Sequence, residues 1–314
     1  MHTDKKIDVC IPVYRPGEKY RMLLKRLSEQ SVKINSVICM YTKEDGNDSY
    51  REKNINDCSL NILVREIEKK DFDHGRTRNE AVALSDADIV IMMTDDAVPC
   101  DNRLIEKLTE GLLDEKTAVC YARQMAGENS GIAEVFSREF NYPDRSVFKS
   151  EADIKTMGIK AFFCSNVCAA YKRNVFDELG GFVDRTVFNE DMIFARKVLD
   201  SGYRIRYEAE AKVIHSHDYS NMEQLRRNFD LAISQKLHPE VFSGISSESE
   251  GVRYVRSAFI YMRKRKKGYM IFPFIVTSAF KYAGYRLGKI YDRLPEPIVK
   301  RLTMNRAFFE GQEA

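Results

Sequence analysis

Between residues 7 and 93 four short apolar runs, at 7–14, 36–41, 61–65 and 88–93, alternate with longer stretches of polar and mixed sequence. Residues 18–30 place Tyr20, Leu23, Leu24 and Leu27 on one helical face, and residues 76–84 open a second helix after Asp73-His74-Gly75. Strands separated by helix-length segments predict an α/β core built on a parallel sheet. In such sheets ligands bind beyond the carboxyl ends of the strands. Pro12 to Arg15, Tyr41 to Asp45 and Asp95-Asp96 all fall at such ends, so the topology allows them to converge.

The fourth run ends in two adjacent carboxylates, Asp95 and Asp96, with Pro99 as a stop. Neighbouring acids repel, and burying them unpaired is costly. A divalent cation removes that cost; a solvated acidic turn avoids it. Three further clusters bear on the choice: Asp73 to Asn79, Glu190-Asp191 at the start of a helix over 189–201, and His215-Ser216-His217-Asp218 after a strand. Carboxylate, imidazole and pyrophosphate oxygens together suit Mg²⁺ or Mn²⁺, with Asp96 and His215 or His217 as the protein's ligands. A separate carboxylate must then deprotonate an acceptor hydroxyl, and Asp191 is placed for that, with Glu190 orienting it or the acceptor. Taken singly, Glu190-Asp191 reads as helix capping worth about 1 kcal/mol, and the histidines as a hydrogen-bonded turn.

The remaining chain predicts a helix over 104–113, a strand over 118–122, a weak pattern over 124–158 and a strand over 161–171. Beyond these it predicts a helix over 175–179, strands over 204–207 and 212–215, a helix over 221–237 and a linker over 244–251. Seven cysteines, several inside apolar runs, read as reduced thiols, and Cys164 and Cys168 lack partners at zinc-ligand spacing. The first residues run directly into a strand, with no secretory signal expected.

Charge is distributed unevenly. Residues 252–301 hold 13 Lys/Arg and two Asp/Glu, although the whole chain carries only +3, so the body before them is acidic. The run Arg263-Lys264-Arg265-Lys266-Lys267 precedes an apolar stretch over 268–280 that is too short to span a bilayer comfortably. The pattern fits a helix lying in an anionic membrane surface. A packed C-terminal helix with a solvated basic face is the alternative. No nucleic-acid-binding module accompanies the charge.

Taken in order, these features resemble glycosyltransferase family 2, whose members share the GT-A fold. Ile11-Pro12-Val13-Tyr14-Arg15 resembles the family's first strand, Asp95-Asp96 its DXD-type metal site and Glu190-Asp191 its ED motif. A bacterial rhamnosyltransferase-like branch is the nearest flavour. Residues 72–79 resemble F-x-H-G-x-T-R-N, Asp96-Ala97-Val98-Pro99 resembles D-A-x-P, and residues 215–220 resemble H-S-H-x-Y-S.

The resemblance implies a Rossmann-like, mostly parallel sheet flanked by helices over residues 1–220. The nucleotide-sugar half would cover 1–122 and the acceptor half 123–220, with a basic, amphipathic helical extension over 221–314. It implies that Pro12, Tyr14, Arg15, Thr42, Glu44, Arg78, Asn79 and Asp95 line the nucleotide-sugar site. Asp96 and His215, with His217 as runner-up, would hold Mg²⁺ or Mn²⁺. Asp191 would be the base of an inverting displacement, and Asn166 and Glu190 would face the acceptor. Two departures stand out. The second strand ends in Tyr41-Thr42-Lys43-Glu44-Asp45, where the family has an earlier Asp against the base. The Q-x-x-R-W motif of processive members is represented by Gln224-Leu225-Arg226-Arg227-Asn228, without tryptophan. Addition of one or a few sugars is therefore expected. The expected reaction moves rhamnose from dTDP-rhamnose onto a lipid-linked glycan, in the cytoplasm at the inner face of the plasma membrane. A different hexosyl donor, a sugar nucleotidyltransferase and a non-catalytic membrane scaffold are the alternatives.

Overall fold

Strand β1 (Ile7–Val13) is almost wholly buried, because its apolar side chains face helices on one side and neighbouring core on the other. β2 (Ser36–Thr42) pairs with it in parallel, and β3 (Ile62–Ile67) pairs in parallel with β2. β4 (Ile89–Met93), buried at every position, lies parallel to β1 on its other side. The computed structural model describes residues 5–43, 59–217, 219–245 and 247–309. The helix Glu18–Ser28 buries Tyr20, Leu23, Leu24 and Leu27 against these strands, each leucine contributing roughly 1.5–3 kcal/mol.

Beyond β4 the sheet becomes mixed. Its other strands are β5 (Val98–Pro99), β6 (Thr117–Met125), β7 (Val147–Lys149), β8 (Cys168–Lys172) and β9 (Arg204–Ile214). Among the described residues the order is β3-β2-β1-β4-β8-β6-β9-β5, with β7 paired to β9. β8 runs antiparallel to both β4 and β6, whereas β6 and β9 are parallel. The parallel reading therefore holds for the first four strands, and the second half adds antiparallel pairs.

Two local expectations change. The strand expected over 161–171 is confined to Cys168–Lys172, because the preceding loop spends its polar groups on the functional site. The two strands expected over 204–215 are one, with a register irregularity where the partner of β6 passes from Glu208 to Lys212.

The chain divides into two compact units. The first comprises Met1–Met125, Tyr142–Asp184 and Glu190–His215 and contains the sheet. The second gathers Ala126–Asn141, Arg185–Asn189 and Ser216–Ala314. Its helices include Ile132–Asn141, Asn221–Leu237, Ser247–Lys264, Ile271–Lys289 and Glu296–Leu302. Ser220 and Glu223 form a reciprocal capping box that starts Asn221–Leu237. Phe136, Ala258, Met262 and Phe274 form one apolar cluster of this unit, and Val187, Phe229, Ile233 and Val299 another. The linker expected over 244–251 is shorter, since a helix begins at Ser247. Phe136 is the buried anchor of a helix where the sequence pattern was weak. The six described cysteines are free, and five are buried.

Candidate active site

The strand ends of the first unit do converge. Just beyond β1 the Tyr14 N–H donates to the Asp95 carboxylate at 3.0 Å, tying the ends of two adjacent parallel strands together. Burial pushes Asp95 up to about 6, the Asp96 charge adding to the shift and the Tyr14 bond opposing it. Arg15 takes a left-handed φ of 51°, and its guanidinium lies 5.2 Å from the centre of the half-exposed Tyr14 ring. Lys69 Nζ lies 5.8 Å from the same ring. An aromatic face flanked by two cations suits a flat base carrying phosphates. Pro12 lies within β1 and Thr42 closes β2. The Thr42 and Thr94 hydroxyls are buried with no hydrogen-bond partner among the described residues, at the strand ends where a ligand is expected. Glu44 and Asp45 lie outside the described residues.

Asp96 Oδ1 stands 3.4 Å from His215 Nε2. The other imidazole nitrogen, Nδ1, lies 3.0 Å from Gln124 Oε1. Gln124 directs its amide Nε2 to the Tyr142 hydroxyl at 2.5 Å and to Ser165 Oγ at 2.9 Å, which leaves Oε1 to accept from the histidine. In that network His215 Nδ1 donates to Gln124, and Nε2 faces the Asp96 carboxylate. A carboxylate and an imidazole nitrogen brought this close form a donor set that Mg²⁺ or Mn²⁺ accepts. The residues thus fit a divalent ion. His217 belongs to the second unit, where its ring stacks on Tyr219 at 4.8 Å and its N–H donates to Glu134.

Glu190 and Asp191 open the helix Glu190–Asp200, and their environments differ. Burial raises the Glu190 pKa, but the nearby Arg78 guanidinium, His74 and the Asn166 amide outweigh it and hold the carboxylate below its usual range. Arg78 Nη1 lies 3.3 Å from Glu190 Oε1, with both side chains buried. Burial, and next the fixed Glu190 charge, push Asp191 up to about 7. Asn166 bridges the pair. Its N–H donates to Asp191 Oδ2 at 3.0 Å, and its Nδ2 to Glu190 Oε1 at 3.1 Å. The Tyr171 hydroxyl donates to Asn166 Oδ1 at 2.6 Å and fixes the amide orientation. Two adjacent carboxyls, one held ionised and one raised toward neutrality, are an arrangement able to serve in general acid–base chemistry near physiological pH.

The resemblance placed Arg78 and Asn79 near the nucleotide. In the structure Arg78 serves Glu190 and also donates to the His74 carbonyl at 2.8 Å. The Asn79 amide exchanges hydrogen bonds with the backbone of Phe182, at 2.9 and 3.0 Å. Asp73 caps the helix His74–Ala83 by accepting from the Gly75 and Arg76 N–H groups. A Cβ on Gly75 would fall 1.8 Å from the Val183 carbonyl oxygen, so no other residue fits there.

Sequence reasoning missed Gln124 and Tyr171, which sit in apolar strands and carry no motif. It also missed how Ser165-Asn166-Val167 connects the parts. Ser165 accepts from Gln124, Asn166 holds the acid pair, and the Val167 carbonyl accepts from the Thr94 N–H at 3.2 Å. A glutamine following Arg123 near the end of a largely apolar strand was the available signal.

Residues 8–180 match the family model described as Glycosyl transferase family 2. Over 98% of this chain and 96% of the relative, the sequence is 35% identical to the O-antigen chain rhamnosyltransferase RfbN of Salmonella typhimurium. It is 34% identical to the O-antigen chain rhamnosyltransferase WbaN of Salmonella anatum, over 80% of this chain and 79% of the relative. Among solved structures, the mannosyltransferase PcManGT of Pyrobaculum calidifontis, in complex with GDP-Man and Mn²⁺, aligns with a TM-score of 0.56 at 14% identity. That alignment covers 97% of this chain and 85% of the other. The first 349 residues of S. aureus TarS, in complex with UDP-GlcNAc, align with a TM-score of 0.50 at 14% identity, over 92% and 91%. The chain belongs to glycosyltransferase family 2 and is a glycosyltransferase built on the GT-A fold.

Proposed function

We propose that the protein transfers rhamnose, with inversion, from dTDP-rhamnose to a lipid-linked glycan during assembly of a bacterial surface polysaccharide. The observation that carries this reading is the split acid pair: Glu190 held ionised by Arg78, and Asp191 raised beside it. Its relatives are rhamnosyltransferases by name, which supports the choice of sugar.

In this mechanism Asp191 takes the proton of the acceptor hydroxyl as that oxygen bonds to the anomeric carbon. The bond from that carbon to the diphosphate breaks on the opposite face, and its electron pair leaves with dTDP. Asn166 keeps the Asp191 carboxylate aimed, and Glu190 orients the acceptor. Asp96 and His215, with His217 as the runner-up ligand, would hold Mg²⁺ or Mn²⁺, which would supply positive charge to the leaving diphosphate. Tyr14, Arg15, Pro12 and Thr42 bind the nucleoside diphosphate, and Asp95 binds the ribose or the sugar.

The basic C-terminal segment holds the enzyme at the inner face of the plasma membrane, where a lipid-linked acceptor resides. No described helix is long and apolar enough to cross a membrane. A screen of dTDP-rhamnose, UDP-glucose, UDP-galactose and GDP-mannose for Mn²⁺-dependent binding and hydrolysis tests the reading. Preference for dTDP-rhamnose, with an inverted anomeric centre by NMR, is expected. Preference for another nucleotide sugar, or a retained configuration, would overturn it.

A further inference from the structure

The helix Ile271–Lys289 turns an apolar face outward. Phe274, Gly284 and Gly288 are buried on its packed side. A Cβ on Gly284 would lie 2.1 Å from the Leu225 carbonyl oxygen, and one on Gly288 2.3 Å from that of Phe229. The two glycines therefore seat this helix backbone-to-backbone on Asn221–Leu237, which leaves its other side without cover from that neighbour. There Phe272 is 74% exposed, Tyr282 54% and Ile275 45%, with Ala279 and Ala283 between them. At 3.6 residues per turn these five positions fall within an arc of roughly 100°. Arg286 is the one charged residue exposed on the same arc.

Just upstream, Arg263 to Lys267 are all exposed, one of them, Arg265, pairing with Glu139 at 3.5 Å. Tyr269, between the basic run and the helix, is 69% exposed. No Asp or Glu occurs between Gly251 and Tyr291. A second copy of this chain would set the same basic run against itself. An anionic surface with an apolar interior matches both features.

We propose that Tyr269, Phe272, Ile275 and Tyr282 enter the headgroup–acyl boundary of an anionic bilayer. The helix lies in the membrane plane, and Arg263 to Lys267 contact headgroup phosphates. This assignment rests on the membrane-surface reading above and names the face that makes the contact.

The chain lacks tryptophan, so Phe272→Trp in the full-length protein supplies a single reporter. Phosphatidylglycerol-containing vesicles should shift its emission to the blue, and brominated acyl chains should quench it. Phosphatidylcholine vesicles should do neither, and Leu113→Trp, at an exposed site of the first unit, should not respond. Phe272→Asp with Ile275→Asp should cut vesicle co-sedimentation at least ~10-fold, with melting temperature and nucleotide-sugar hydrolysis unchanged. Pelleting without a shift at position 272 would overturn the assignment, and so would a shift that tracks protein concentration without vesicles, which would mean a second copy. If the nucleotide-sugar screen fails while quenching persists, the transfer reaction falls and the membrane face stands.

Discussion

Replacing Glu190 with Gln keeps the shape of the side chain and the bond from Asn166 but removes the charge that Arg78 faces. At 3.3 Å and an effective dielectric constant of about 20, that attraction is about 5 kcal/mol. Breaking one side of a buried pair costs roughly 3–5 kcal/mol, because the other charge is left desolvated. At about 2–4 °C per kcal/mol, calorimetry should show a melting point lower by roughly 6–20 °C. Arg78→Met in the same chain should recover much of the loss, since the guanidinium left without its partner is then gone. The second effect is on pH dependence. Asp191 acts only when ionised, and it is raised to about 7, so transfer by the native enzyme should rise as pH increases through that value. Without the Glu190 charge the Asp191 pKa falls, and the acid limb of kcat/KM should move to lower pH. A Glu190→Gln protein that melts within 2 °C of the native one, with an unmoved acid limb, would refute the electrostatic account of the pair.

Gln124→Leu should weaken Mn²⁺ binding roughly 10–100-fold by calorimetric titration, because His215 loses the partner that fixes its tautomer. Gly284→Val should lower the melting temperature by several degrees through its clash with the Leu225 carbonyl, whereas Gly251→Ala, with open space around it, should be neutral or stabilising by up to about 1 kcal/mol. Lys149 is buried against the Tyr121 hydroxyl and the Phe163 carbonyl, and burial lowers its pKa to about 7. A lowered folded-state pKa means stability that is present above the unfolded value of 10.5 and lost as pH falls through 7. Urea midpoints should therefore climb between pH 7 and 10, and Lys149→Met should flatten that climb.

The parallel half of the sheet was legible because its strands are apolar runs, with β1, β2 and β4 buried almost throughout, separated by helix-length segments, a pattern that survives in one dimension. Asp96 and His215 were legible because each follows the end of a strand, and Glu190 and Asp191 because they open a helix. The loop over 161–167 was not. Its apolar composition reads as strand, yet the Asn166 N–H serves Asp191 rather than a ladder partner. Gln124 was hidden for the opposite reason, as a polar side chain beside Arg123 near the end of a largely buried strand. Arg78 was recognisable as part of a motif, but its pairing with Glu190 joins residues 112 positions apart, which spacing alone does not reveal.

In the proposed reaction Asp191 is the base of sugar transfer. Single-turnover transfer from dTDP-rhamnose with Mn²⁺, measured for Asp191→Asn beside donor affinity, tests it most directly. The rate should fall by about 10²–10⁴-fold with donor affinity essentially unchanged. Near-native turnover in that variant would contradict it.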